Sequence, residues 1–188
     1  SAFELLSPVP PGWGGGLLRG LANSLQIALG AYSLGLLIAI CGAYGKLYGG
    51  PVVRDLLEVY TTLVRAVPEL ILILLLYFAG TDLVNRLLEW MGYAAIDISG
   101  LVAGIFVLGV VQGAYQTEVL RGAILAVPQG QIEAARAYGM PAGLMLRRIT
   151  LPAMLPNAIP GLANLWLGVT KDTALLAVVG FNELTQET

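Results

Sequence analysis

Long apolar runs and short polar interruptions alternate along this chain. From Leu17 to Ala43 the residues are mostly apolar, with Asn23, Ser24 and Gln26 confined to the first turns. At about 1.5 Å per residue, a helix over 17–43 is long enough to cross a bilayer. A short polar link, "YGKLYGGPVVRD", carries Lys46 and Arg54 and leads to a second apolar block over 56–79. That block is not uniform: "VYTTLVRAVPEL" sets Arg65, Pro68 and Glu69 ahead of the nearly pure "ILILLLYFAG". Proline removes a helical hydrogen bond and restricts its predecessor, which predicts a kink or break near residue 68. "TDLVNRLLEWMGYAAIDIS" reads as a polar-to-amphipathic loop with room for one short surface helix. A third apolar segment covers 99–124, with Gly109 and Gly113 at the small-xxx-small spacing of packed membrane helices. The fourth, 153–180, is interrupted by Pro156, Pro160 and Lys171–Asp172, which predicts a broken helix. Residues 1–16 are rich in Pro and Gly and predict an interfacial entry segment with Trp13 near the headgroups. The pattern predicts an all-α polytopic membrane protein, one transmembrane domain over 1–188 whose last two segments are joined by a polar stretch at 125–152.

Composition agrees and narrows the chemistry. The chain is 57% hydrophobic and 12% charged, with a mean hydropathy of +0.78. Soluble domains run at about 45–50% apolar and about 25% charged, so this chain cannot cover itself with polar surface. There is no histidine, which excludes Ser-His catalysis, imidazole proton relays and His-ligated metals. Cys41 is the single cysteine, so neither a disulfide nor a cysteine metal site can form within the chain. Ser33 in "AYSLG" has no histidine base, which argues against an intramembrane hydrolase. No basic cluster tracks phosphates, so nucleic acid is not an expected partner. "GAYGKL" at 42–47 lacks the first glycine and the terminal Ser or Thr of a phosphate loop and is a chance likeness. No catalytic residue, metal or cofactor is therefore expected on this chain itself. A passive channel is the alternative, but it needs a ring of repeated polar groups, for which the Asp172 region is thin support.

Basic residues set the orientation. Lys46 and Arg54 follow the first segment, and Arg121, Arg136, Arg147 and Arg148 follow the third. The other side keeps little beyond Arg19, Arg86 and Lys171. Positive residues stay inside, which predicts a cytoplasmic 125–152 stretch and an external N-terminus. The chain starts at Ser1 and ends just after a span, so trimming at its ends is expected.

The 125–152 stretch has its own logic. Pro128 opens it, Gln131 to Tyr138 are good helix formers, Gly139 suits a left-handed C′ position, and Pro141 prevents continuation. A helix of about two turns is too short to be stable alone in water and needs a partner surface. Ala134, Ala135 and Ala137 give it a slim side, while Glu133 and Arg136 can pin its ends. A second helical stretch begins near Pro141, carries Arg147 and Arg148 to the interface, and "ITLP" returns to the membrane.

Glu133-Ala134-Ala135, then Gly139, then Ile149 and Leu151-Pro152 reproduce without a gap the spacing E-A-A, three residues, G, nine residues, I-x-L-P. That loop resembles the signature of permease subunits of bacterial ATP-binding-cassette importers. "YTTLVRAVPEL", "GAYQTEVLRGAILAVPQGQIEAA" and "TKDTALL" are similar to the polar amino-acid subfamily, in its histidine/lysine/arginine/ornithine and opine branch. The resemblance covers nearly the whole chain. Ala66 stands where the subfamily usually has glycine, and the last of about five family spans is missing.

The resemblance implies a type I importer transmembrane fold in the inner membrane. It implies that Glu133, Ala134, Ala135 and Gly139 form a coupling helix seated in an ATPase subunit, with Arg136 and Tyr138 as neighbours at that contact. ATP and Mg would be bound by two partner ATPase subunits. A second, similar permease subunit forming a heterodimer and a periplasmic amino-acid-binding protein would complete the assembly, with membrane lipid around it. The branch implies transport of basic amino acids or opines. For the pathway, the charged residues offer alternatives. Glu118 either meets the cationic group of a substrate or pairs with Arg121 at i,i+3. Glu69 and Arg65 pose the same choice at i,i+4. Asp172 is a candidate pathway residue because its backbone reads as interrupted. Tyr115 and Trp166 either stack on substrate or pack.

Overall fold

The computed structural model describes residues 14–94 and 100–184. Most of the N-terminal entry segment, the end of the 81–99 stretch and the last four residues lie outside the described part. Among the described residues the elements are α1 (Gly14–Tyr48), α2 (Pro51–Ala66), α3 (Glu69–Trp90), α4 (Gly100–Leu125), α5 (Gln129–Ala137), α6 (Ala142–Met145), a π-helical turn (Leu146–Thr150) and α7 (Leu151–Leu184). There is no strand among them. α1, α3 and α4 are each long and apolar enough to cross a membrane. α7, with 34 residues, matches them in length.

α4 is the central helix. It packs along α1 through glycines, which let the two backbones approach. A side chain at Gly109 would meet Leu34 at 2.7 Å, and one at Gly113 would meet the Ile38 Cβ at 2.9 Å. From the other side, Gly35 sits against the Gly113 backbone and Gly42 against Thr117. The small-residue spacing noted at 109 and 113 is thus a close helix contact. Substituting Gly113 with leucine would wedge α1 from α4, because the nearest Ile38 atom is anchored at Cβ and cannot swing aside. Overpacking of this kind costs about 1–3 kcal/mol, and a thermal-shift measurement on the assembled complex should show it. An unchanged midpoint would mean that the two helices have room to part.

Apolar clusters complete the core. Ile27, Ala28 and Ala31 of α1 pack with Val107 and Leu108 of α4, Ile73 of α3 and Val169 of α7. Ala39 and Ala43 pack with Leu120, Ala123, Met154 and Ala158 at the other end. α3 otherwise faces outward, with little of its length buried within this chain.

The structure corrects three local expectations and bears out the break near residue 68. The polar link at Lys46 is absent: α1 runs to Tyr48, and only Gly49–Gly50 separate it from α2. Pro51 at the first position of α2 explains that early start, since its missing N–H is not needed there. The apolar block at 56–79 is two helices, broken at Val67–Pro68 as proline predicts. The expected loop from Thr81 is instead helical through Trp90, because no proline or glycine interrupts it before Gly92, which stands at φ +83°. Finally, α7 is continuous through Pro156, Pro160 and Asp172. The π turn precedes it, with the Leu151 N–H reaching Leu146 O, and Pro152, Pro156 and Pro160 all lie on exposed positions four residues apart. Their rings therefore point away from the packed core, and the helix survives them.

Candidate functional site

Two polar clusters lie along α4. The first joins the ends of α1, α2 and α4. The Lys46 side chain is only 2% exposed, and its ammonium donates to Glu118 Oε1 at 2.5 Å and Thr61 Oγ1 at 2.7 Å. Glu58 Oε2 lies 2.7 Å from the same nitrogen but is largely exposed. The second oxygen of Glu118 accepts from Arg121 NH2 at 2.9 Å and has Arg65 NH1 4.0 Å away. Glu118 is thus taken up by an ion network. Its pairing with Arg121 holds, and the larger partner, Lys46, was hidden in what read as a link. The proposed i,i+4 pairing of Arg65 with Glu69 gives way to Glu118 as the neighbour of Arg65.

The second cluster lies where α2 breaks into α3. Glu69 opens α3 at the Pro68 break, and its carboxyl group lies against that of Asp172 on α7. Gln112 of α4 donates its Nε2 to Asp172 Oδ2 at 3.4 Å. Tyr115, one turn further along α4, lies in the field of Glu69, Arg65 and Asp172, its ring against the Val64–Val111–Ala114 cluster. Three of the five pathway candidates, Glu69, Asp172 and Tyr115, are therefore neighbours; Arg65 flanks Tyr115 and has Glu118, of the other cluster, as its nearest carboxylate. Trp166 packs edge-on to Tyr32 with centroids 5.4 Å apart, which is a core role. Gln112 was missed. Its signal was a polar residue deep in an apolar run.

The polar segment between α4 and α7 has the outline its residues dictate. α5 starts at Pro128 and closes with Gly139 at φ +69°. There the Gly139 N–H bonds Arg136 O at 2.9 Å and the Met140 N–H bonds Ala135 O at 3.0 Å, the paired closure of a left-handed cap. Ala135 is buried and Ile132 packs on the lower core, so that side of the helix belongs to this chain. Glu133, Ala134, Arg136, Tyr138 and Gly139 face outward, Tyr138 at 90% exposure. Of the six residues assigned to an ATPase contact, only Ala135 turns inward. Behind α5 a cavity of about 640 Å³ opens among Tyr44, Tyr48, Ile124, Ile132, Arg136 and Leu146.

Comparison with known proteins matches this architecture. Residues 18–188 fit the family described as binding-protein-dependent transport system inner membrane component. The chain is 41% identical over 177 residues to the histidine/lysine/arginine/ornithine transport system permease protein HisQ of Escherichia coli (strain K12), covering 94% of this chain and 78% of that one. It is 38% identical over 185 residues to the octopine transport system permease protein OccQ of Rhizobium radiobacter, covering 98% and 78%. Among solved structures, an amino acid ABC transporter with histidines aligns with TM-score 0.71 at 29% identity, over 90% of this chain and 74% of that one. The MetNI methionine transporter in inward-facing conformations aligns with TM-score 0.69 at 22% identity, over 87% and 74%, a likeness of fold alone. With a helical membrane fold, an outward-facing short helix between two long ones and these relatives, the chain belongs to the binding-protein-dependent inner membrane components, as a permease subunit of an ATP-binding-cassette amino-acid importer.

Proposed function

We propose that this permease moves cationic amino acids or opines, and that Glu69 and Asp172 receive the cationic group on its way across. The single observation that carries this is the juxtaposition of two carboxyl groups on α3 and α7 inside the membrane domain. Two carboxylates that close repel each other unless a proton or a cation stands between them. Charged side chains are costly in a bilayer and persist where they line a pathway or meet a partner. Tyr115 adds an aromatic face beside the pair and Arg65 a flanking cation suited to a substrate carboxylate. The names of the histidine/lysine/arginine/ornithine and octopine relatives fit such a cation.

Energy comes from outside the chain. Glu133, Ala134, Arg136, Tyr138 and Gly139 present the contact to a partner ATPase subunit, with Ala135 holding the helix onto its own chain. Two such ATPase subunits bind ATP and Mg; this chain carries no nucleotide site of its own. α7 runs from the π turn beside this coupling segment to Asp172, 22 residues and about 33 Å of unbroken helix. Movement of the coupling segment is therefore passed along a stiff rod to one wall of the acidic pair, while Glu69 rides on α3. Alternating access then needs only that the rod shift against α3.

The remaining assembly follows the family plan: a second, similar permease subunit in a heterodimer, and an external amino-acid-binding protein. The N-terminus is periplasmic and α5 cytoplasmic, as Arg121, Arg136, Arg147 and Arg148 direct. The Pro152 and Pro156 carbonyls lose their usual amide donors to Pro156 and Pro160, so this outer face of α7 suits water or the second permease better than lipid tails.

The test is uptake by the complete importer in proteoliposomes. Asp172→Asn and Glu69→Gln should each reduce arginine uptake at least tenfold at limiting substrate, the size expected from losing a charge-assisted hydrogen bond. Uptake that survives both changes would remove the acidic pair from the pathway.

A further inference from the structure

Gln112 carries a feature that packing does not account for. Its side chain is 2% exposed on α4, deep in the membrane domain. The Nε2 atom donates to Asp172 Oδ2, but Oε1 is buried and finds no donor among the described residues. A buried amide oxygen without a donor is destabilising, and more so where no bulk water can reach it. The amide cannot solve this by turning over, since that would set Oε1 against a carboxylate oxygen. Nor can the side chain withdraw easily. Its Cβ sits 3.0 Å from where a Cβ on Gly35 would lie, at a close contact of α1 and α4. The second such oxygen, on Gln116, belongs to an amide held toward Tyr32 O of α1. Gln112 alone ties this property to the acidic pair.

We propose that Gln112 is a specificity-determining residue of that pair, its Oε1 serving as a third acceptor that favours a guanidinium over a compact ammonium. The inference rests on the reading of Glu69 and Asp172 as the cation site. Oε1 shares a carbon with the nitrogen that holds Asp172, so a planar cation seated on that carboxylate meets the amide oxygen alongside it. A guanidinium offers five N–H donors in a fixed plane and is weakly hydrated. It can bond Glu69, Asp172 and Gln112 at once. An ammonium has three donors on a point-like, strongly hydrated group and can rotate them onto the two carboxyls, so it depends less on the amide.

Binding of radiolabelled arginine and lysine to the assembled importer in lipid nanodiscs, without the binding protein, tests this directly. Gln112→Met removes the acceptor and should raise the arginine Kd about tenfold while moving the lysine Kd less than threefold. Gln112→Asn pulls the oxygen back by one methylene, and should lower the arginine-to-lysine preference in the same direction should the methionine variant fail to assemble. Equal shifts for the two ligands, or none, would overturn the proposal and leave Gln112 as packing or as support for Asp172. Asp172→Asn, measured in parallel, separates the two levels. If it weakens both ligands while the Gln112 variants do not discriminate, only the specificity role falls. If it weakens neither, or if the unaltered complex binds neither ligand, the cation site falls with it.

Discussion

Replacing Lys46 with methionine should cost the permease about 3–5 kcal/mol, the penalty for stripping one partner from a buried ion pair. Lys46 is the hub of its cluster: its ammonium meets Glu118 and Thr61 inside the chain and is almost wholly screened from solvent. Methionine fills much the same volume, so the loss is electrostatic rather than steric. It leaves Glu118 with Arg121, which is partly exposed, and with Arg65 at a distance. A carboxylate inside a membrane domain then lacks its closest cation. The readout is the yield and thermal midpoint of the assembled complex. Pairing the change with Glu118→Gln should restore more than half of the loss, because no unmatched charge then remains. Glu58→Gln should cost no more than about 1 kcal/mol, since Glu58 is open to solvent and such pairs are weak. A single Lys46→Met protein as stable as the parent would show that the network does not hold α1, α2 and α4 together.

That cluster also shows where the sequence stops being informative. The apolar segments, the break at Pro68, the glycine contact at 109 and 113, and the outline of the helix ending at Gly139 follow from local rules. They depend on spacing, on proline's missing N–H and on glycine's lack of a side chain. Lys46 did not follow, because a lysine near two glycines reads as a loop unless the partner that buries it is known. Glu118 is far away in the chain, and no local pattern joins them. Asp172 was singled out for an interrupted backbone that does not exist. What distinguishes it is Glu69, brought across from α3 by tertiary packing. Gln112 was passed over for the same reason: a buried amide gains meaning only from what it faces. The family resemblance supplied the coupling helix as a whole, but which of its faces points outward was decided by Ile132 packing against the lower core and by the burial of Ala135.

The same outward face supports the second large effect. Gly139→Pro should bring transport to background, a loss of about a hundredfold, while the acidic pair is untouched. Proline is fixed near φ −65°, whereas Gly139 stands at +69°, and proline has no N–H to give Arg136 O. The cap would open, and a nine-residue helix has little stability of its own to resist. A penalty of about 3 kcal/mol corresponds to a factor of about a hundred in the seated population. Gly139→Asn is the informative control. Asparagine tolerates the left-handed region, so it should keep most of the uptake if backbone geometry is what matters. Glu133→Lys probes the contact instead of the cap, by reversing one exposed charge on the helix without altering its backbone. Measured together, uptake and ATP hydrolysis by the complete importer tell these causes apart. The expected pattern for Gly139→Pro and Glu133→Lys is hydrolysis no longer stimulated by loaded binding protein, or ATPase subunits lost on purification. Arginine binding in nanodiscs should persist wherever the permease pair survives. If Gly139→Pro transports normally with its ATPase subunits attached, α5 is not the lever, and the push on α7 must enter elsewhere.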